Sequence, residues 1–226
     1  MAMKELFTRW FKLRFAALYP FGIYVILFSY ATDQSCIAGI WFIVAGLLIR
    51  IWANCYAIKS EKLTTSGPYA FVRHPLYLGS LLLILGFIVL LRIYYIGTIL
   101  LLTVIIIYFR KIKEEERLLT VKFPDAYQRY TRKVPTIFFT FIPYREGEKW
   151  SASLERLIRS QEYKLFFWVI ILTIAFYLKG KFLIEHQAIN TRYALFISLA
   201  AFLAGLDIIG EIVKFFHKKL PPKLTG

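Results

Sequence analysis

The fold follows from one apolar stretch, residues 76–109, which reads LYLGSLLLILGFIVLLRIYYIGTILLLTVIIIYF. A helix that crosses a bilayer needs about 20 residues at a rise of 1.5 Å each. An unbroken apolar helix of the length quoted would overshoot the membrane. Its single charged residue, Arg92, stands near the middle in the polar sequence Arg-Ile-Tyr-Tyr. The stretch therefore predicts two spans joined by a turn at residues 92–95.

Four further apolar runs predict additional spans at residues 15–31, 36–53, 165–178 and 193–209. The first two runs are separated only by residues 32–35, which predicts a tight helical hairpin. The run at 165–178 is short for a span, so an interfacial or buried helix remains an alternative there. The expected fold class is all-α: a polytopic membrane bundle of about six spans.

Composition and charge agree with a membrane protein. Hydrophobic residues make up 58% of the 226 residues, and the mean hydropathy is +0.57. Soluble proteins contain about 45–50% apolar residues, so this chain is more apolar than they are. Its composition excludes a disordered chain, a collagen-like chain and a disulfide-stapled secreted domain. The net charge of +15 on so apolar a chain favours anionic lipid headgroups as partners over nucleic acid. The two cysteines and three histidines do not have the spacing of a metal site.

The distribution of Lys and Arg predicts the orientation, because segments on the cytoplasmic side of a membrane carry the excess. With six spans and an inner N-terminus, 25 of the 29 basic residues lie on inner segments. The outer segments hold only Arg92, Lys179, Lys181 and Arg192. Both termini are therefore expected in the cytoplasm, in the cell (inner) membrane or the endoplasmic reticulum.

A polar segment follows the second predicted span. Gly67-Pro68 predicts a turn, and Pro75 favours an extended His74 before a helix that begins at the proline itself. Arg73 and His74 would then stand at a helix N-terminus on the membrane surface, where the guanidinium and backbone N–H groups could bind an anion. The alternative is an arginine that only anchors the span, with His74 as an ordinary cap.

A second polar segment follows the fourth predicted span and carries three consecutive glutamates, 114–116. On a helix, Glu115 would share a face with Ile112, Leu118 and Leu119, which turns its carboxylate toward the apolar side. The alternative is a solvated charge run whose ion pairs contribute a few tenths of a kcal/mol each. A carboxylate directed inward at membrane level needs a partner or a ligand.

Together these segments resemble a known family. The motifs are Gly67-Pro68-Tyr69 and Arg73-His74-Pro75-x-Tyr77-x-Gly79, followed after two apolar segments by Glu-Glu-x-Leu-Leu, Phe, Tyr-x-x-Tyr and Val-Pro. They resemble the isoprenylcysteine carboxyl methyltransferase and phospholipid methyltransferase superfamily. The similarity covers roughly residues 40–143, and the hairpin from about residue 165 is extra to the compact family core.

The resemblance implies an integral membrane enzyme that transfers a methyl group from S-adenosylmethionine to a hydrophobic or lipid-like acceptor. It implies a cofactor site on the cytoplasmic face and a lateral opening for the acceptor. By motif match, the cofactor-binding residues would be Glu61, Lys62, Leu63, Thr64, Tyr69, His74, Pro75, Leu76, Tyr77 and Glu115. Arg73, His74 and Glu116 are the expected catalytic residues.

Substrate contact is expected from Lys111, four residues before Glu115, where the resemblance places a basic residue. If an arginine is required there, the neighbouring Arg110 could substitute. A second departure from the family pattern is Pro124, which stands where glycine is common. It affects the path of the loop and leaves the carboxylates in place.

The acceptor atom is not specified by the motifs. A carboxylate or thiolate arrives nucleophilic, whereas a protonated amine needs a base, for which His74 or Glu116 could serve. The resemblance favours an isoprenylcysteine carboxyl O-methyltransferase-like enzyme. Alternatives within the superfamily are a phospholipid N-methyltransferase and a small thiol methyltransferase. Alternatives from other classes are an NADPH-dependent sterol-reductase-like enzyme and a non-catalytic membrane protein.

The chain divides into four predicted parts. Residues 1–35 would form the first span and its turn, residues 36–143 the methyltransferase core, and residues 165–226 a membrane hairpin with a basic tail. Between the last two, residues 144–164 place apolar residues at helical spacing beside basic ones. That pattern predicts an amphipathic helix on an anionic membrane surface.

Overall fold

The computed structural model describes residues 18–57, 62–147 and 151–219, with side chains for all of these except 18–20, 159 and 212–219. All regular secondary structure in these ranges is helical, which confirms the all-α class. The α-helices are α1 (Leu18–Phe28), α2 (Asp33–Tyr56), α3 (Pro75–Leu91), α4 (Tyr94–Lys122), α5 (Pro124–Lys133), α6 (Leu154–Ser160), α7 (Tyr163–Lys179) and α8 (Thr191–Lys219). A 3₁₀ turn, Gly67–Ala70, precedes α3, and a π-helical turn, Gly180–Ile184, extends α7.

Four helical segments are long and apolar enough to cross a membrane: Asp33–Tyr56, Tyr94–Lys122, Tyr163–Ile184 and Thr191–Glu211. Helix α3 is equally apolar in character but has only 17 residues. The predicted break within residues 76–109 is confirmed, because α3 ends at Leu91 and α4 begins at Tyr94. The run at 165–178 belongs to one of the four long segments, so its length favours a span. Six spans and two cytoplasmic termini stay predictions.

The turn before α2 is closed by a reciprocal cap. The Ser35 N–H donates to Thr32 Oγ1 at 3.3 Å, and the Thr32 N–H donates to Ser35 Oγ at 2.9 Å. This capping box satisfies two N–H groups that a helix start leaves without partners. Helix α2 consequently begins at Asp33, inside the loop expected from the sequence. Ser35 also donates to the Leu90 carbonyl at 2.8 Å, which joins the start of α2 to the end of α3.

Helices α2 and α3 run antiparallel and touch through two pairs of glycines. A Cβ at Gly39 would lie 2.7 Å from the Gly86 carbonyl oxygen, and a Cβ at Gly46 would lie 2.7 Å from that of Gly79. Both separations are too short for a side chain, so the backbones approach each other only because all four positions are glycine. Membrane helices associate through this kind of close packing, since lipid provides little hydrophobic driving force between them.

At the end of this helix pair nearer His74, Arg50 on α2 joins three parts of the chain. Its Nε and Nη2 donate to the Glu162 carboxylate at 2.6–3.1 Å. Its Nη1 donates to the Leu76 carbonyl at 3.2 Å and to Ser80 Oγ. The Arg50 and Glu162 side chains are only 15% and 18% exposed. Arg50 therefore connects the first turns of α3 to the residue that precedes α7.

A second polar contact holds the opposite end of α7. The buried Lys181 ammonium lies 3.0 Å from Asp33 and 2.8 Å from Glu185. The Tyr177 hydroxyl donates to the other Asp33 oxygen at 2.9 Å. Because Asp33 begins α2, the C-terminal hairpin is attached to α2 at both ends of the bundle. The hairpin that seemed extra to the family core is thus packed onto that core.

The segment 144–164 is less helical than its pattern predicts. Among its described residues, Leu154–Ser160 form α6, and α7 begins at Tyr163. Trp150, which the expected amphipathic helix would have included, lies outside the described residues. Upstream of α6, the Ser153 N–H donates to the Cys55 carbonyl, which takes residue 153 out of a helix. Leu154 and Ile158 are 74% and 66% exposed, and the place of α6 on a membrane surface stays a prediction.

The glycine pairs generate a stability prediction. Replacing Gly46 with Ala would drive its Cβ into the Gly79 carbonyl and separate α2 from α3, so we expect a loss of about 1–3 kcal/mol. The measurement is the midpoint of thermal unfolding in detergent. Gly205→Ala on α8 is the matched control, because a Cβ there meets nothing within 4 Å. The control should be neutral or slightly stabilising. Equal midpoints for both variants would contradict the packing role.

The Arg50 contact generates a second prediction. In Glu162→Ala, the Arg50 guanidinium stays largely buried without its carboxylate, which should cost on the order of 3 kcal/mol. The matched control is Glu146→Ala, which breaks the exposed pair with Lys133 and should change stability by less than about 1 kcal/mol. Both are measured by thermal unfolding in the same detergent. If Glu162→Ala were as stable as Glu146→Ala, the C-terminal hairpin would not depend on this pair.

Candidate active site

The segment before α3 is held in place by the chain that follows α5. The Arg73 N–H donates to the Pro135 carbonyl at 2.9 Å, and the His74 N–H donates to the Thr136 carbonyl at 3.1 Å. Pro75 occupies the first helical position, where the missing N–H costs nothing. His74 is the N-cap, and its side chain does not make a capping hydrogen bond. Its imidazole can therefore point away from the helix start.

Helix α4 places Glu116 against both residues. Its Oε1 lies 2.7 Å from Arg73 Nη1 and 3.2 Å from His74 Nε2. Arg73 also donates to Thr136 Oγ1, and at 3.5 Å to the Tyr127 hydroxyl. The Arg73 side chain is 12% exposed and that of Glu116 is 23% exposed. In this low-dielectric position the ion pair is stronger than in water, and it fixes the guanidinium beside the imidazole.

Glu115 approaches His74 from the other ring nitrogen. Its Oε2 lies 3.7 Å from His74 Nδ1, and its Oε1 accepts a hydrogen bond from the Tyr77 hydroxyl at 2.6 Å. The Tyr77 ring in turn contacts Tyr108 on α4, with 4.8 Å between ring centroids. The imidazole is thus placed between two carboxylates from adjacent positions of one helix. The alternative of a solvated glutamate run does not describe Glu115 or Glu116.

A cavity of about 360 Å³ opens beside this cluster, within the size range of small-molecule sites. Of the residues expected to bind a cofactor, six line it: Lys62, Leu63, Thr64, Tyr69, His74 and Glu115. Arg73 lines it as well. Glu61 lies outside the described residues.

Three of the expected cofactor residues do not line the cavity. Pro75 is fully buried, and the Leu76 carbonyl accepts a hydrogen bond from Arg50. Tyr77 reaches the site only through its hydrogen bond to Glu115. The expected substrate contacts, Arg110 and Lys111, are exposed on α4 and do not line the cavity either. The structure therefore separates these two basic residues from the cluster around His74.

Several lining residues were not among those expected from the sequence. They come from the end of α2, from the end of α4 and from α5: Ala57, Leu118, Leu119, Lys122, Phe123, Tyr127 and Tyr130. The Tyr-x-x-Tyr motif was the available signal, because its three-residue spacing puts both tyrosines on one face of a helix. Tyr130 donates to the Tyr69 carbonyl at 2.6 Å. Burial raises the pKa of Tyr127 to about 12 and raises that of Tyr130 as well, so both phenols remain protonated.

Arg73 keeps one donor without a partner. Its Nε is buried and makes no hydrogen bond within the described part of the chain. A buried donor left in this state costs free energy unless a ligand or water accepts from it. Among the charged lining residues, Lys62, Arg73 and Lys122 are cationic and Glu115 is anionic. The cavity therefore suits a ligand that carries both a carboxylate, for the cations, and donors, for Glu115.

Comparison with known proteins finds a family model that matches the part of the chain that carries this cluster. The model of the isoprenylcysteine carboxyl methyltransferase (ICMT) family matches residues 35–121. That range contains the glycine pairs of α2 and α3, together with Arg73, His74, Glu115 and Glu116. No solved structure matches the chain significantly.

Curated relatives match parts of this chain. The cobalt-zinc-cadmium resistance protein CzcN of Cupriavidus metallidurans is 33% identical over 113 residues, which are 49% of this chain and 52% of the relative. The protein-S-isoprenylcysteine O-methyltransferase of Schizosaccharomyces pombe is 39% identical over 79 residues, 34% of this chain and 33% of the relative. The enzyme of that name from Rattus norvegicus is 32% identical over 128 residues, 48% of this chain and 44% of the relative.

The chain spans about half or less of the length of these relatives. The similarity is concentrated where the structure assembles the His74 cluster and the helix pair that supports it. The motifs between Gly67 and Leu119 fall inside the range of the family match. Residues 35–121 of this chain are therefore similar to the isoprenylcysteine carboxyl methyltransferase family, and two relatives named as such methyltransferases agree with that similarity.

Proposed function

We propose that this protein is a membrane methyltransferase that uses S-adenosylmethionine to methylate the carboxylate of a lipid-like acceptor, as an isoprenylcysteine carboxyl O-methyltransferase does. One observation carries the proposal: Arg73 and His74 meet Glu115 and Glu116 beside a cavity, and all four residues belong to the family-matched segment. The two relatives named protein-S-isoprenylcysteine O-methyltransferase support the class of acceptor.

The cavity residues fit the polar groups of S-adenosylmethionine. Glu115 offers carboxylate oxygens to the ammonium or to the ribose hydroxyls of the cofactor. Tyr69, Leu118 and Leu119 provide apolar surface for a purine. When bound, the cofactor supplies a methyl group already activated by its sulfonium. Pro75, Leu76 and Tyr77 would support this site without forming its wall.

The chain's own residues are proposed to act by positioning. Methyl transfer breaks a carbon–sulfur bond and forms a carbon–oxygen bond, and the sulfur keeps the electron pair of the broken bond. A carboxylate acceptor gives up no proton, so the reaction needs no base. Arg73 and His74 would hold the acceptor carboxylate in line, since their own positions are fixed by Glu116 and by the 135–136 backbone. Orientation of this kind contributes a large share of catalysis in bimolecular reactions.

The residues around the cavity favour a carboxylate acceptor over an amine. Arg73 lines the wall, and its positive charge would attract an anionic acceptor and repel a protonated amine. An amine acceptor would also need a base, for which His74 with Glu116 is the available pair. A phospholipid amine and a small thiol remain the second acceptors to assay.

The location of the site is part of the proposal. The excess of basic residues on the segments next to it, including 110–164, supports a cytoplasmic orientation. The host membrane would be the cell (inner) membrane or the endoplasmic reticulum. Arg110 and Lys111, exposed below the cavity on α4, would contact the anionic headgroups or the acceptor from outside.

Cofactor binding is the first prediction from this proposal. The purified protein should bind S-adenosylhomocysteine in isothermal titration, and Glu115→Ala should weaken that binding at least about tenfold, because a charge-assisted hydrogen bond contributes about 1.5–3 kcal/mol. The matched control is Glu114→Ala, which removes the neighbouring exposed carboxylate and should bind as the wild type does. A second titration with NADPH should give no heat.

Two outcomes would contradict the cofactor assignment. Binding of NADPH alone by the folded wild type would favour a reductase. Equal affinities of Glu114→Ala and Glu115→Ala for S-adenosylhomocysteine would move the cofactor away from Glu115.

The acceptor generates a separate prediction. With labelled S-adenosylmethionine, the wild type should methylate an S-prenylated cysteine and leave a base-labile methyl ester. The same compound with its carboxylate converted to an amide should accept no label, since its nucleophile is gone. Phosphatidylethanolamine and a small alkyl thiol are assayed in parallel. Base-stable label on either of these, with none on the prenylated cysteine, would reject the carboxylate acceptor and retain the methyltransferase.

A further inference from the structure

The chain that follows α5 exposes an unusual run of large apolar residues. Residues 136–142 read TIFFTFI, and we call this segment the aromatic loop. Phe138, Phe141 and Ile142 are 83%, 92% and 80% exposed. A phenylalanine or isoleucine left in water forgoes the favourable free energy of burying its apolar surface. A contiguous exposed apolar surface of this kind marks an interaction site.

The aromatic loop is held firmly by its backbone. Its Thr140 N–H donates to the Phe71 carbonyl at 3.0 Å, and the Tyr144 N–H beyond it donates to the Ala70 carbonyl at 2.9 Å. The His74 N–H donates to Thr136 at the start of the loop. The loop backbone is therefore fixed against the segment that carries Arg73 and His74.

The exposed surface is continuous with the side of a spanning helix. Trp52, near the end of α2 and 38% exposed, lies 5.9 Å from Phe71 between ring centroids. Phe71 stacks on Phe139 at 5.0 Å with 4° between the ring planes, and Phe139 contacts Phe141 at 6.2 Å. The aromatic side chains thus form an unbroken path from a candidate membrane span to the tip of the loop. Aromatic residues at the end of a span belong to the membrane–water interface.

Basic residues stand on both sides of the loop. Arg129 and Arg132 are exposed on α5, and Arg145 is exposed just after the loop. Lys133 is paired with Glu146, so that pair contributes little net charge. Exposed aromatic residues flanked by cations are the composition of a surface that binds anionic phospholipid. A partner protein would not account for the continuity with the lipid-facing side of α2.

We propose that the aromatic loop inserts into the headgroup region of the bilayer leaflet next to the site, with the flanking arginines on the lipid phosphates. Insertion places the Arg73–His74 segment at the level of the headgroups. A molecule anchored in that leaflet by an apolar chain could then present its polar end to the cavity without leaving the bilayer. The inference concerns the surface of the protein and stands whether or not the methyl transfer proposed above is correct.

Spin labelling tests the insertion in the full chain. Cys36 and Cys55, the two cysteines of the protein, are first replaced by Ala. Single nitroxide labels are then attached at Phe141→Cys and, as a second variant, at Phe138→Cys. The protein is reconstituted in nanodiscs of phosphatidylcholine and phosphatidylglycerol. Collision of each label with oxygen, which concentrates in lipid, is compared with collision with a polar nickel chelate, which stays in water.

Two matched labels calibrate the result. Gln128→Cys on the exposed face of α5 represents water, and Ile99→Cys, at a residue 66% exposed on α4, represents lipid. We expect the oxygen-to-nickel collision ratio at residues 138 and 141 to be several-fold above that at residue 128 and to approach that at residue 99. A labelled variant is accepted only if it unfolds at the same temperature as the cysteine-free parent.

A low collision ratio at both labels would contradict the insertion. If the labels at 138 and 141 gave the same ratio as the label at 128, the loop would stand in water and the proposal would be wrong. The aromatic loop would then be a surface for a protein partner or a second copy of the chain. Should one labelled variant fail to match the unfolding temperature of its parent, the other decides the outcome.

Discussion

The direct backbone contact between α2 and α3 is the constraint on which the rest of the structure depends. Gly39 meets Gly86 and Gly46 meets Gly79 at separations that leave no room for a Cβ. The two helices therefore have one register, and this register delivers the start of α3 to Arg50. His74 and Pro75 stand at that start, so the position of the imidazole follows from Gly79 and Gly86, about one and a half and three helical turns further along the chain. Close packing replaces the hydrophobic effect that would organise a soluble core.

Three largely buried cations in the described part of the chain each meet an opposite charge. Arg50 faces Glu162, Arg73 faces Glu116, and Lys181 lies between Asp33 and Glu185. A low dielectric makes such pairs specific, because any other register would leave a buried charge unpaired. Two of the three contacts, Arg50–Glu162 and Lys181–Asp33, join α2 to the C-terminal hairpin, and Arg50 lies within the family-matched segment. The hairpin is consequently a support of the core that carries the site, in addition to being part of the membrane domain.

The sequence predicted those residues of the site that belong to a local motif. It did not predict the residues that reach the site through long-range contacts. Pro75 required a helix start, so Arg73 and His74 were expected at a helix N-terminus, and they are there. The inward turn of Glu115 followed from helical spacing. Tyr127 and Tyr130 were missed because their place depends on how α5 folds back after Pro124, which no local pattern specifies. Arg110 and Lys111 were assigned by motif position, and the structure puts them outside the cavity.

The sequence by itself determined the class of this protein: long apolar runs allow only helices in a bilayer, and basic residues concentrate on one side of them. It also determined the break between α3 and α4, since no single span can hold residues 76–109. Only the tertiary structure decided that His74 lies between two carboxylates, that Arg50 pairs with Glu162, and that the aromatic loop is displayed beside the site. These contacts join residues far apart in the chain, and their energies depend on burial and exact separation, which periodicity and composition do not encode.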